Sequence, residues 1–162
     1  SNNSRLILKS SIDYFPEYLS DQFKKRGIFD QIKLLTKTST FKEHIDMYDQ
    51  IDLALDTFPY PGVTTTFEAL WKSVPVLTLK GYNFKSRCGY SIIKNIGIDY
   101  LIAEDVDEYV SKAVYLSKNF DYLEKLRKDM FAKIKDSKLF DVKNFAEEFQ
   151  NLIVECIKEK YN

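Results

Sequence analysis

One histidine and two cysteines in 162 residues are too few for a zinc centre of imidazoles and thiolates, and no C-x-x-C spacing is present. The cysteines, Cys88 and Cys156, fall in separate helical patterns. Reduced, half-buried thiols of a cytoplasmic protein are therefore expected rather than a disulfide. An excess of one charge is missing too. Lys+Arg and Asp+Glu both number 24, giving zero net charge, so there is no basic footprint for nucleic acid. Aromatics make up 15% but are spread through apolar-periodic segments rather than interleaved with basic clusters, which points to core packing. No apolar run approaches the ~20 residues of a membrane span, and no signal-peptide pattern opens the chain. The fingerprints G-x-G-x-x-G, G-x-x-x-x-G-K-[ST] and G-x-S-x-G are absent. Dinucleotide oxidoreductase, P-loop and α/β-hydrolase readings lose their support with them.

What remains is a chain of single-domain size with enough apolar residues for a core. Residues 1–3 read as a cloning remnant or linker, and 4–162 as one domain, a fragment of a longer protein. Apolar runs at 5–9, 32–35, 51–56, 74–79 and 100–102 predict strands. Between them, helical periodicity follows Pro16, Thr40, Thr65 and Ser86, with Gly27 and Gly97 as natural stops. Three amphipathic helices, at about 105–118, 120–135 and 141–160, close the chain and are expected to wrap back over the domain. Strands alternating with helices imply a doubly wound, Rossmann-like parallel sheet covered on both faces. In such sheets ligands bind beyond the carboxyl ends of the strands, where residues 57–66 belong.

The stretch from Asp52 to Pro75 carries the most chemistry. The apolar run ending at Asp56 leads into a loop forced by Pro59, Pro61 and Gly62. Thr64, Thr65 or Thr66 then caps a helix continuing through Phe67, Ala69, Leu70 and Trp71. Unpaired N–H groups, the positive end of a helix dipole and hydroxyl donors meet at one point, a seat for a phosphate or diphosphate. An ordinary capped helix start accounts for the threonines equally well.

The whole string, D-x-x-L-D-T-x-P-Y-x-G-x-T-T-x-x-[DE]-A-L-W-x-x-x-P-V-x-T, resembles the nucleotide-sugar-binding half of the O-linked N-acetylglucosamine transferase family. The bacterial members, whose transferase region follows tetratricopeptide repeats, look closest. The likeness continues through Gly81, Ser86-Arg87, Leu101 to Ala103, Asp107 to Tyr109 and Ser137 to Asp141. It implies the C-terminal half of a GT-B transferase, with an earlier strand and helix upstream of Leu6 at the centre of the sheet. Another segment fills that place, or a second copy of the chain does through self-association, or the fold is perturbed.

The resemblance also assigns site residues. Thr64 and Thr65 match the phosphate-contacting pair, with Thr66 beside them. Val63 stands where many members have histidine or glycine; it keeps the backbone donor and loses the imidazole. Glu68 matches an acidic residue that resembles a ribose-hydroxyl acceptor, and it shares a helix face with Thr64. A first-turn acid favoured by the helix dipole is the alternative. His44 aligns with a segment beside the uracil, although the family's lysine three residues before it is Phe41 here. Arg87 belongs to a Ser-Arg pair that reaches an anion or fixes its loop to the core by hydrogen bonds. Asp105-Val106-Asp107 spells the D-x-D of metal-dependent sugar transferases, but it precedes a helix, where capping suffices. Neither metal nor cofactor is expected.

The implied function is donor binding and leaving-group stabilisation in an inverting enzyme. N-acetylglucosamine would move from UDP-N-acetylglucosamine to serine or threonine of a protein acceptor, with no catalytic base in this fragment. A branch of the family uses asparagine and other hexoses. A non-catalytic binding module with a degenerate nucleotide site is the alternative. A phosphorylase-like enzyme would need a cofactor-lysine pattern that the sequence lacks.

Overall fold

The computed structural model describes residues 4–9 and 16–161. The presumed remnant at 1–3 lies outside them. Five parallel strands and seven α-helices alternate among the described residues. The first unit is β1 (Leu6–Lys9), α1 (Glu17–Lys25) and β2 (Ile32–Leu35). Pro16 precedes α1, where its missing N–H costs nothing, and Gly27 at φ 66° follows its end. After α2 (Phe41–Asp46) come β3 (Ala54–Leu55), α3 (Thr64–Trp71), β4 (Val76–Leu79), α4 (Cys88–Ile96) and β5 (Ile102–Ala103). Then α5 (Val106–Lys118), α6 (Phe120–Lys135) and α7 (Val142–Tyr161) close the chain.

Local chemistry explains most of the boundaries. Thr40 caps α2 with a full capping box, its hydroxyl accepting from the Glu43 amide while the Glu43 carboxylate accepts from the Thr40 amide. Asp105 caps α5 by accepting from the Glu108 amide at 2.8 Å, so this acid of the D-x-D sequence does a capping residue's work. Gly97 ends α4 in the left-handed conformation at φ 76°.

The strands fall into two parallel sheets, β1–β2 and β3–β4–β5, and among the described residues no ladder joins them. Leu6 pairs with Ile32 in the first and Ala54 with Val76 in the second. Among the described residues the hydrogen-bonded ladder is thus interrupted between the opening βαβ unit and the rest. β4, buried at every position, is the middle strand of the larger sheet. Leu70, Leu77, Ile93, Ile98, Leu101 and Met130 are fully or almost fully buried around it. Truncating Leu70 to alanine should therefore destabilise the fold by about 2–5 kcal/mol. Urea unfolding checks this: the midpoint should fall with the slope unchanged.

Two expectations need correction. The helices α5 and α6 do cover the domain, burying Leu116, Leu123, Leu126, Met130 and Ile134. In contrast, α7 buries no residue, and Phe145, Phe149, Leu152 and Ile157 remain exposed along it. It leaves the body instead of wrapping over it, because its apolar residues find no facing element among the described residues. Cys88 is half-buried as expected, but Cys156, on α7, is exposed.

Candidate functional site

The loop 57–63 leaves the carboxyl end of β3 and delivers the chain to the start of α3. Val63, rather than a threonine, is the N-cap, and no side chain caps this helix end. All three threonines lie inside the first turn, because the turn set by Pro61 and Gly62 ends one residue earlier than the sequence pattern suggests. The first backbone bond into the helix is from Phe67 N–H to the Val63 carbonyl. Among the described residues, nothing accepts from the amides of Thr64, Thr65 or Thr66. Thr64, Thr65 and Val63 are exposed, whereas Thr66 is buried. Among the described residues the helix therefore opens on unbonded amides beside two exposed threonines, the arrangement that attracts an anion.

The turn is packed tightly onto this helix. A Cβ at Gly62 would lie 2.4 Å from Thr65 Oγ1 and 2.9 Å from Thr66 Oγ1. Beneath it sits Asp56, which the sequence reading did not single out. Its Oδ1 accepts from the Gly62 amide at 2.7 Å and its Oδ2 from the Thr78 hydroxyl on β4 at 2.7 Å. The Tyr109 hydroxyl of α5 donates to the Asp56 carbonyl at 2.8 Å. Burial pushes the Asp56 carboxyl above its usual range, against the lowering pull of bonds from Gly62, Thr78 and the Thr57 amide. Burial also raises the Tyr109 phenol to about 12, so it stays a donor. The recognisable signal was positional: an acid at the carboxyl end of a strand, next to a Pro/Gly loop.

His44 and Glu68 meet. His44 Nε2 lies 2.8 Å from Glu68 Oε2, and Lys9, at the end of β1, contacts His44 Nδ1. The Tyr48 hydroxyl donates to the same Glu68 oxygen at 3.0 Å and to the Thr65 carbonyl at 3.2 Å. Burial, followed by the neighbouring Glu68 carboxylate, holds the Tyr48 phenol well above its ordinary range. Thus α2 is tied to α3 one turn below the open amides. Both imidazole nitrogens and one Glu68 oxygen are already engaged. Lys9 and Tyr48 were missed because only folding brings these strand and helix residues together.

Arg87 stands apart from this cluster. Its guanidinium lies over the Tyr90 ring at 4.8 Å, and Lys80 lies 5.6 Å from the same ring. The hydrogen bonds that fix the loop come instead from Ser86, which is buried and bonded to Asn83. Gly81 permits this, since a Cβ there would meet Ser86 Oγ at 2.1 Å. At the far side of α3, Phe140 packs against Phe67 and Trp71 at ring distances of 5.8 and 5.9 Å. The Ser137 to Asp141 segment thereby braces the helix. A cavity of about 140 Å³, lined by Tyr48, Ala54, Asp56, Thr65 and Thr66 among others, lies between β3 and α3.

The model of glycosyl transferase family 41 matches residues 14–149. The chain is 34% identical over 154 residues to "Probable UDP-N-acetylglucosamine–peptide N-acetylglucosaminyltransferase SPINDLY" of Solanum lycopersicum. That match covers 93% of the chain and 16% of the relative. A UDP-N-acetylglucosamine–peptide N-acetylglucosaminyltransferase of Caenorhabditis elegans is 28% identical over 137 residues, covering 85% of the chain and 12% of the relative. The structure of a mutant O-GlcNAc transferase from Thermobaculum terrenum superposes with a TM-score of 0.83 at 29% identity. It covers 92% of the chain and 29% of that protein. The chain thus spans about a sixth of the tomato relative's length.

Proposed function

The chain belongs to glycosyl transferase family 41, and from that premise we propose that it is the nucleotide-sugar-binding half of an inverting GT-B enzyme. That enzyme transfers N-acetylglucosamine from UDP-N-acetylglucosamine to serine or threonine of a protein. The observation that carries the reading is the uncapped start of α3, with the Thr64, Thr65 and Thr66 amides and two exposed hydroxyls at one point.

As the glycosidic bond breaks, negative charge grows on the β-phosphate. Donors already fixed in place favour that charge in the transition state without reorganising. Thr64 and Thr65 hold the diphosphate, Val63 contributes backbone only, and the buried Thr66 lends its amide. Glu68 keeps Oε1 for a ribose hydroxyl while Oε2 holds His44 and Tyr48. His44 offers its ring toward the base, since its nitrogens are occupied. Arg87, held by Tyr90, is an outlying cation that strengthens the field near the anion. Acceptor activation comes from outside this chain, so the chain alone is inert in transfer. The proposal extends to a bacterial, cytoplasmic protein in which tetratricopeptide repeats precede the transferase region.

The valine at the N-cap and the occupied Glu68 oxygen favour a second reading, a binding module whose nucleotide site has degenerated. Calorimetric titration separates the two. The donor-site reading expects UDP to bind and uridine to bind at least tenfold more weakly, the worth of roughly one charge-assisted hydrogen bond. No heat from millimolar UDP favours the module. Transfer by this chain alone at a full-length relative's rate overturns the assignment of acceptor chemistry elsewhere.

A further inference from the structure

We propose that Asp56 is the positioning residue of the phosphate seat: its carboxylate clamps the Pro-Gly turn to β4, so that the open amides of α3 and the Thr64 and Thr65 hydroxyls converge. The inference rests on reading that helix end as a diphosphate site.

The geometry makes one connected path. Thr78, fully buried on the middle strand, donates to Oδ2, and Oδ1 receives the Gly62 amide. Gly62 in turn sits so close to Thr65 Oγ1 that no Cβ fits between them. Backbone anchors complete the clamp, with Asp56 N–H bonded to the Leu77 carbonyl and Tyr109 bonded to the Asp56 carbonyl. On the opposite side, Oδ2 abuts the first turn of α4, where a Cβ at Gly89 would lie 2.2 Å away. A carboxylate between the starts of two helices is favoured by both dipoles. Without it, the Gly62 amide and the Thr78 hydroxyl lose their acceptor in a partly buried place, and the turn moves to regain one.

The charge works against the ligand, because a carboxylate under an anion seat repels the anion. Its service is therefore geometric, and this separates two substitutions. Asp56→Asn keeps an oxygen for Gly62, and the Thr78 hydroxyl can reverse to accept from the new amide, since a hydroxyl does both. Asp56→Ala keeps neither bond. A purely structural residue would lose affinity in proportion to lost stability in both variants.

The test uses the 162-residue chain with UDP as probe, read by calorimetry, thermal unfolding and amide NMR. Asp56→Ala should raise the UDP Kd roughly tenfold or more after correction for the folded fraction, the effect of losing a hydrogen bond to a charged group. Asp56→Asn should bind as well as the parent or better. Without nucleotide, the Gly62, Thr64 and Thr65 amide resonances should move in Asp56→Ala and stay in Asp56→Asn. If Asp56→Ala does not fold, Thr78→Val, which cuts only the strand anchor, should reproduce the amide shifts and a weakened Kd. Parent-like binding and spectra in Asp56→Ala, or equal losses in both variants, overturn the proposal. If the parent itself binds no UDP, the diphosphate reading fails, while the nucleotide-free spectra still decide whether Asp56 holds the turn.

Discussion

Alanine at Gly89 should destabilise the chain by a large share of its folding free energy. In an exposed helix the change would stabilise by about 1 kcal/mol. Here the added Cβ would meet Asp56 Oδ2 at 2.2 Å and Thr78 Oγ1 at 2.4 Å. Neither neighbour is a flexible side-chain end: both are short, and they are bonded to each other. Overpacking at such a site costs about 1–3 kcal/mol, occasionally more, a large share of the roughly 5–15 kcal/mol that holds a domain of this size together. Gly97→Ala is the control, because a Cβ there would have nothing within 4 Å and only the positive φ of 76° opposes a side chain. That change should cost about 1 kcal/mol. Chemical denaturation of the two variants side by side should give the larger loss for Gly89→Ala. Equal losses would mean that the α4 start and the Asp56 clamp are not packed as described.

The second large effect concerns function. Replacing Thr64 and Thr65 together by alanine removes both exposed hydroxyls while leaving the amides and a good helix former in place. UDP affinity should fall by about tenfold to a hundredfold, as expected when hydrogen bonds to a charged group are lost. In a complete enzyme, loss of one preorganised donor costs about a hundredfold or more in turnover. Stability should hardly change, because neither residue is buried. Thr40→Ala gives the reverse pattern: it breaks the capping box of α2, costing about 1 kcal/mol of stability with UDP affinity intact. Unchanged binding in the double alanine variant would remove the hydroxyls from the account.

How far the sequence revealed this depends on the range of the interactions. Alternating apolar runs and turn residues located the strands and helices, since β1, α1, β2, α2 and α5 each carry local signals such as Pro16, Thr40 and Asp105. The run at 51–56 suggested a longer strand than β3, which pairs only over Ala54 and Leu55. Ladder length is set by the neighbour, not by the run itself. The cap of α3 was misplaced by a residue because the Gly62 turn is anchored from Asp56, six residues earlier. Likewise Ser86, expected to begin a helix, stands instead within a tighter 3-10 turn at Lys85–Arg87. The partnership of Lys9, His44, Tyr48 and Glu68 joins residues far apart in the chain, and no local pattern encodes it. The exposed side of α7 was also illegible, because amphipathic spacing predicts a buried face but not what covers it.

The central claim is that the open amides at the start of α3 seat a diphosphate. Its most direct test is an amide NMR titration of the assigned chain with UDP. Saturable shifts should be largest at Gly62, Thr64, Thr65 and Thr66, and inorganic pyrophosphate should compete for them. A response from UDP centred elsewhere, with those four resonances unmoved at saturation, would contradict the account.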